Sequence, residues 1–167
     1  MTKQEVLENI AIARKALNTF SLLLPDSYVI FDCYCLPSFR WKAFYAQIGR
    51  KNGVYFANCA YTRYADHFGL ESNSVHFISI IENTHRAKKT DIICKCIFPK
   101  ADVVNRLIET SNDPSAAKNS EEGIVIDGIT VGLRFFENGN ITRSVCLINP
   151  DDNIPLVNEI IAFSDMI

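Results

Sequence analysis

The chain has 167 residues, of which 48% are hydrophobic and 22% charged, and its formal net charge is −2. This length suits one well-cored domain, and the apolar content excludes a disordered chain. The near-neutral charge provides no global basic field for a nucleic acid. The first positions, MTKQEVLENIAIARK, mix charged and apolar residues, which is unlike a signal peptide.

Two further features of the composition concern location. No uninterrupted apolar run approaches the length of a membrane span, so we expect no membrane partner. The chain contains six cysteines without a secretion signal, which indicates reduced thiols in a cytoplasm.

The first predicted element is an amphipathic helix over residues 2–24. Thr2 and Glu5 form a T-x-x-E capping box. The apolar stripe recurs at spacings of three and four residues, at Val6, Ile10, Ala13, Leu17 and Phe20. Pro25 is expected to end the helix, and the width of the stripe predicts that it packs on a sheet.

The region that follows has the pattern of antiparallel strands. Aromatic and β-branched residues predict strands over 28–36, 39–48, 54–62, 75–82 and 91–98. The GRKNG at positions 49–53 is a good hairpin turn. Pro99 is well placed to open a short helix, and the polar segment 111–122 is expected to form a mobile surface loop.

The most tightly specified stretch is GIVIDGITVGLRFFENGNITRSVCLINP, at 123–150. Asn-Gly at 138–139 predicts a two-residue hairpin, because both residues tolerate the positive φ of a type I′ turn. A second turn signal, Asp-Gly at 127–128, predicts that 124–126 pairs with 129–131 as a third strand.

The predicted hairpin register places Arg134 directly opposite Arg143, and Phe135 opposite Thr142 on the core side. Like charges facing each other in a sheet repel. Nearby carboxylates or exposure to water could relieve the repulsion. Alternatively, the two arginines belong to a binding face for an acidic partner.

Together these elements predict a single α+β domain over 1–167. It has an N-terminal helix, a largely antiparallel sheet of about seven or eight strands, and two later helices. The stretches 94–109 and 145–161 resemble each other, which suggests ββα units at 75–110 and 124–165. Strand-to-helix junctions also resemble one another for physical reasons, so a repeat is not required.

Two Cys-x-Cys pairs, Cys33/Cys35 and Cys94/Cys96, could offer four thiolates to one metal if their strands were adjacent. Structural zinc sites usually space their cysteines more widely, on turns. Buried cysteine also packs as a small hydrophobic residue. We therefore predict core cysteines, no metal site and no cofactor, and the sequence leaves open whether the two pairs converge.

Two functional alternatives also remain open. A small enzyme could use Cys59 with His67 or His76, but nothing in their spacing demands it, and we predict no catalytic residues. The strands over 39–64 interleave aromatic and basic residues and could stack single-stranded nucleic acid. Strand alternation turns half of these rings inward, and the net charge argues against a nucleic-acid partner.

The last part of the chain carries a resemblance. FENGNITRSVCLINPDDNIPLVNEII, at 136–161, reads as a hairpin followed by a terminal helix in an α+β chain. This layout resembles the small cytoplasmic immunity proteins of bacterial toxin systems, including those of contact-dependent growth inhibition. The resemblance implies a non-enzymatic inhibitor that binds a cognate toxin domain and blocks its active site or docking face.

For such a partner, the candidate binding residues are charged positions around the predicted hairpin. They are Glu121, Glu122, Asp127, Arg134, Arg143, Asp151 and Asp152. The acidic residues could meet a basic toxin surface. The sequence does not determine the oligomeric state.

Overall fold

The computed structural model describes residues 3–37, 43–62, 92–117, 128–150 and 153–167. The strands are β1 (Val29–Pro37), β2 (Phe44–Lys51), β3 (Val54–Thr62), β4 (Ile92–Ile97), β5 (Ile129–Glu137) and β6 (Asn140–Ile148). The α-helices are α1 (Lys3–Thr19), α2 (Ala101–Thr110) and α3 (Pro155–Ser164). Short 3-10 helices occur at Asp26–Tyr28 and Pro114–Ala117.

The strands form one antiparallel sheet in the order β4-β3-β2-β1-β5-β6. The predicted α+β class, N-terminal helix and two later helices are confirmed. The described residues contain six strands rather than the predicted seven or eight. The strands expected at 75–82 and 124–126 lie outside these residues.

Residues 129–131, with which the strand predicted at 124–126 was expected to pair, have neighbours on both sides. Residues 129–131 of β5 pair with 35–37 of β1 on one side. On the other side, β6 pairs with β5 from Thr130 onward. Both edges of this part of β5 are therefore occupied.

Within the stretch 124–165, predicted as a second ββα unit, β5, β6 and α3 follow one another along the chain. The first unit, at 75–110, lies partly outside the described residues. Within the segment expected to be a mobile loop, Pro114–Ala117 forms a 3-10 helix.

Both predicted hairpin turns are confirmed by their backbone conformation. Asn52 and Gly53 have φ of 52° and 81°, and Asn138 and Gly139 have φ of 52° and 80°. Asparagine and glycine tolerate this left-handed region, which a type I′ turn requires at both central positions.

Beyond the second turn, the predicted register is wrong. One extra residue on β6, Thr142, shifts the ladder, so that Phe135 faces Arg143 and Arg134 faces Ser144. A bulge of this kind places two residues of one strand opposite one residue of its neighbour. The two arginines therefore do not face each other.

The shift has a clear hydrophobic reason. In the straight register, Ser144 and Cys146 would have faced the core beside Leu133. With the bulge, Val145 and Leu147 lie on that side instead, and both belong to the core beneath α2 and α3. A one-residue slip exchanges the two faces of a strand, so burial of the larger apolar side chains selects the bulged register.

α1 ends at Thr19, before the expected stop at Pro25. Ser21 has a φ of 57°. The N–H of Leu22 donates to the carbonyl of Leu17 at 2.8 Å. This is the Schellman arrangement, in which a residue in the left-handed region ends the helix. That residue is usually a glycine.

Two cores lie on opposite faces of the sheet. α1 packs on β2, β3 and β4 and buries Val6, Ile10, Ala13 and Leu17 as predicted. Phe20 was expected in the same stripe but is exposed, because the helix ends before it. On the other face, α2 and α3 pack against each other and over the sheet.

No helix in the described ranges is long and apolar enough to cross a membrane.

Candidate functional site

A row of polar side chains crosses the middle of the sheet on the α1 side. The register aligns Asn58 of β3, Gln47 of β2, Asp32 of β1, Arg134 of β5 and Ser144 of β6. Directly opposed residues of antiparallel strands point to the same face, so the pairing brings these groups together. The side chains of Asn58, Gln47 and Asp32 are buried.

Asp32 is the centre of this row and is completely buried. Its Oδ1 accepts a hydrogen bond from Arg134 Nε at 3.0 Å, and its Oδ2 accepts one from Arg134 Nη2. The hydroxyl of Tyr45 also donates to Oδ2, at 2.9 Å. A two-bond pair between a guanidinium and a carboxylate has a fixed geometry as well as a strong attraction.

Burial and pairing act on Asp32 in opposite directions. Burial is the larger cause and raises the pKa of the carboxyl above its ordinary value. The hydrogen bonds and charge of Arg134 lower that pKa, as does the Tyr45 hydroxyl. The carboxyl group is thus engaged entirely within the protein.

Arg14 of α1 lies between this cluster and Asp26, and its charge also lowers the pKa of the Asp32 carboxyl. Its Nη2 lies 3.3 Å from Asp26 Oδ1. Asp26 in turn lies against the β5–β6 turn: a Cβ added to Gly139 would be only 3.2 Å from the Asp26 Cβ. The missing side chain at Gly139 therefore allows this close approach between the turn and the segment after α1.

Arg143, on the opposite side of the hairpin, holds β6 to the end of α2. Its guanidinium lies 4.0 Å from the centroid of the Phe135 ring. Its Nη2 donates to Ser111 Oγ at 2.7 Å, and its Nη1 donates to the Ser111 carbonyl at 3.3 Å and to Asn112 Oδ1. A cation that binds the last carbonyls of a helix also interacts favourably with the helix dipole.

The two predicted partner-binding arginines are therefore both held by internal contacts, Arg134 by Asp32 and Arg143 by the end of α2. The other predicted partner-binding residues lie outside the described ranges. They are Glu121, Glu122, Asp127, Asp151 and Asp152.

The α1 side of the hairpin also presents two apolar side chains that are not among the predicted partner-binding residues. Phe136 and Ile141 are directly opposite each other, and Ile141 is 52% exposed. The guanidinium of Arg134 lies 5.7 Å from the centroid of the Phe136 ring. We call Arg134, Phe136 and Ile141 the hairpin face. One feature of the sequence could have indicated this face. Ile141 is a large apolar residue two positions after the turn glycine, Gly139, and it lies on the side of the predicted hairpin away from the core.

Cys59, the nucleophile of the enzyme alternative, is completely buried on β3. Burial is the main cause that raises the pKa of its thiol from 9.0 to about 12, and nearby Lys95 only partly opposes it. The thiolate is the nucleophilic form, so this thiol is protonated and unreactive near neutral pH. The other two residues of that alternative, His67 and His76, lie outside the described residues.

The two Cys-x-Cys pairs do not converge. β2 and β3 separate β1 from β4 in the sheet. Cys33 and Cys35 lie in the core beneath α2 and α3, whereas Cys94 packs against the core beneath α1. Across the part of the chain that the structure describes, no group of three or more Cys, His, Asp or Glu side chains could hold a metal ion.

The aromatic-basic strands do not form an exposed stacking platform within the described residues. Phe44 and Tyr45 are buried. Tyr55 and Tyr61 are partly covered, with Arg50 and Lys95 respectively 5.1 Å and 5.5 Å from their ring centroids. Three other aromatic residues of this stretch lie outside the described ranges: Phe39, Trp41 and Tyr64.

The described ranges define an α+β protein in which, among these residues, one helix covers one face of an antiparallel sheet and two helices cover the other. Comparisons with protein-family models, curated proteins and solved structures found no match for it.

Proposed function

We propose that this protein is a non-enzymatic binding module that neutralises a cognate bacterial toxin domain, as immunity proteins do. The hairpin face is the observation that carries the proposal. Ile141 is 52% exposed and lies opposite Phe136, whose ring in turn lies beside the guanidinium of Arg134. Aromatic residues and arginine are enriched in the cores of protein interfaces, and tryptophan, tyrosine and arginine are enriched among the residues that contribute most to binding.

The internal contacts of Arg134 favour this use of the hairpin face. Asp32 holds the guanidinium by two hydrogen bonds, beside Phe136. An arginine that is already ordered loses less side-chain freedom when a partner binds. The hairpin face is therefore preorganised, and its arginine acts through packing and directed N–H groups rather than as a free charge.

The acidic residues would contribute the electrostatic part of recognition. Asp127 precedes β5 in the sequence, and Asp151 and Asp152 follow β6. Opposite charges on two partners accelerate association and select the correct partner more than they increase affinity. A basic toxin domain is thus the kind of partner that these residues suit.

The resemblance to immunity proteins rests on a hairpin followed by a terminal helix, and the fold contains both elements. The stretch 136–161 contains the end of β5, the whole of β6 and most of α3. The alternative nucleophile, Cys59, is buried and protonated near neutral pH. These two observations favour binding through a surface over chemistry at Cys59.

The first experiment identifies the partner and then tests neutralisation. The tagged chain is used to capture proteins from a lysate of its source, and mass spectrometry identifies the one that co-elutes. That protein is then expressed in a bacterial host with and without this chain. We expect growth arrest when it is expressed alone, and recovery together with a stoichiometric complex on co-expression. A captured protein that is harmless alone, or that stays toxic within the complex, contradicts the proposal.

A matched pair of variants tests the hairpin face. Ile141 and Val54 are exposed to 52% and 55%, and Val54 lies beside the other hairpin turn. We expect Ile141→Asp to weaken binding to the captured protein by about tenfold or more, a loss typical of an interface core residue. Val54→Asp should leave the affinity unchanged. Equal affinity of the two variants in calorimetry places the interface elsewhere.

A second pair tests the acidic residues. We expect Asp151→Asn combined with Asp152→Asn to slow association, with a smaller dependence of the rate on salt concentration. Asp165→Asn, at an exposed position after α3, is the control of the same chemistry. Stopped-flow association rates at two salt concentrations distinguish the variants. If the double variant and the control associate at the same rate, Asp151 and Asp152 do not take part in recognition of the partner.

A further inference from the structure

The segment that follows α1 is attached to the polar row by two side-chain amides. The N–H of Leu24 donates to Gln47 Oε1 at 3.0 Å. Asn58 Nδ2 donates to the carbonyl of Leu22 at 2.6 Å. Gln47 and Asn58 are directly opposite each other on β2 and β3, and they are only 0% and 6% exposed.

These two bonds fix the orientation of both amides. A backbone N–H can only donate, so Leu24 must face the oxygen of Gln47. A backbone carbonyl can only accept, so Leu22 must face the nitrogen of Asn58. The unused group of Gln47 is therefore a donor, Nε2, and the unused group of Asn58 is an acceptor, Oδ1.

Both unused groups are buried, and neither Gln47 Nε2 nor Asn58 Oδ1 has a hydrogen-bond partner within the described part of the protein. A buried polar group without a partner destabilises the folded state, because it has given up its hydrogen bonds to water. Native proteins satisfy nearly all such groups, either directly or through ordered water. Two such groups on directly opposed residues indicate a shared partner.

We propose that Gln47 Nε2 and Asn58 Oδ1 bind one internal water molecule beneath residues 22–24. The ligand has to accept a hydrogen bond from the first group and donate one to the second. Water does both. A metal cation would face the N–H donor of Gln47, and an anion would face the amide oxygen of Asn58. Two protein partners are sufficient to hold a buried water molecule.

The water molecule completes the attachment of the segment that joins α1 to β1. That segment continues to Asp26, which lies against Gly139 in the hairpin turn. The site therefore helps to hold the support on which the hairpin lies. This inference goes beyond the proposed function and does not depend on it.

A high-resolution crystal structure of the full chain tests the proposal directly. We expect a water molecule within hydrogen-bond distance of both Gln47 Nε2 and Asn58 Oδ1. A direct hydrogen bond between these two atoms, or a site without any ordered atom, overturns the proposal. The crystal structure of the native chain distinguishes these outcomes, so this test needs no variant.

Magnetisation transfer between water and side-chain amides gives a second test in solution. A long-lived water molecule should produce a nuclear Overhauser effect at the Gln47 amide protons, and Asn58→Leu should abolish it. Gln4 is the internal control, because its exposed amide donates to Glu8 at 2.8 Å. A Gln47 signal no different from that of Gln4 contradicts the proposal.

Discussion

Arg134 lies directly opposite Asp32 on the neighbouring strand and binds both oxygens of its carboxylate. The two residues are 102 positions apart in the sequence, and the carboxylate is completely buried. Their pairing joins the C-terminal hairpin to β1 and gives a polar centre to the α1 side of the sheet. It also decides what Arg134 can do, because a guanidinium committed to an internal carboxylate is not a free charge for a partner.

Removal of Asp32 should strongly destabilise the protein. Asp32→Ala leaves the buried groups of Arg134 and Tyr45 without their acceptor, and breaking a buried ion pair in this way typically costs about 3–5 kcal/mol. The control is Asp26→Ala, because the exposed pair of Asp26 with Arg14 should contribute less than about 1 kcal/mol. Urea denaturation measures both free energies of unfolding. Similar losses for the two variants would show that the buried pair adds little.

Replacement of Arg143 should loosen the junction between β6 and α2. Arg143→Lys keeps the charge but loses the planar fork that reaches Ser111 and Asn112, and a loss of about 1–3 kcal/mol is expected. Amide hydrogen exchange at the end of α2 should become faster. Arg106→Lys is the control, because the half-exposed side chain of Arg106 forms ion pairs with Asp102 and Glu159 at the surface, and its replacement should change stability less. Unchanged exchange at the end of α2 would argue against this role of Arg143.

A glycine at the end of α1 should stabilise the protein. Ser21 has a φ of 57°, a conformation that is unfavourable for residues with a side chain. Ser21→Gly should raise the free energy of unfolding by about 0.5–1 kcal/mol, after the greater freedom of glycine in the unfolded chain is included. Ser27→Gly, in the following 3-10 helix, should instead lower it. Thermal denaturation of both variants checks the sign, and a decrease for Ser21→Gly contradicts the assignment of the helix end.

Alkaline pH should unfold the protein through its buried thiols. Burial raises the pKa of both Cys35 and Cys59 from 9.0 to about 12. The folded state therefore keeps protons that the unfolded state releases, so this contribution to stability is complete below pH 9.0 and is lost as the pH rises towards about 12. Burial also raises the pKa of Tyr34 and Tyr45, which adds a loss of the same sign.

Urea denaturation over a series of pH values measures this loss. The double variant Cys35→Ala with Cys59→Ala should be less stable at neutral pH, because it leaves cavities in the core. Its stability should nevertheless fall less steeply above pH 9.0 than that of the native chain. Parallel pH profiles for the two proteins would assign the alkaline loss to other groups.

Several features of the fold could be predicted from short stretches of sequence, because their causes are local. The Asn-Gly turns at 52–53 and 138–139 follow from the tolerance of these two residues for positive φ. The buried face of α1 follows from the helical spacing of its apolar residues. Pro155 begins α3 because the first turn of a helix does not need its missing N–H.

The candidate site could be predicted only in part. Arg134 and Arg143 were selected from the turn and the alternation of the strand, but their partners lie on β1 and at the end of α2. Phe136 and Ile141 of the hairpin face were not predicted, because the exposure of Ile141 depends on how much of the sheet the helices cover.

The sequence by itself thus determined the α+β class, the turns and the phase of the helices, since neighbouring residues set backbone conformation and periodicity. The tertiary structure alone decided the strand order, the bulge at Thr142 and the pairing of Asp32 with Arg134. Those features depend on which face of each strand the helices α1, α2 and α3 bury, and on which polar groups must then satisfy one another inside the sheet.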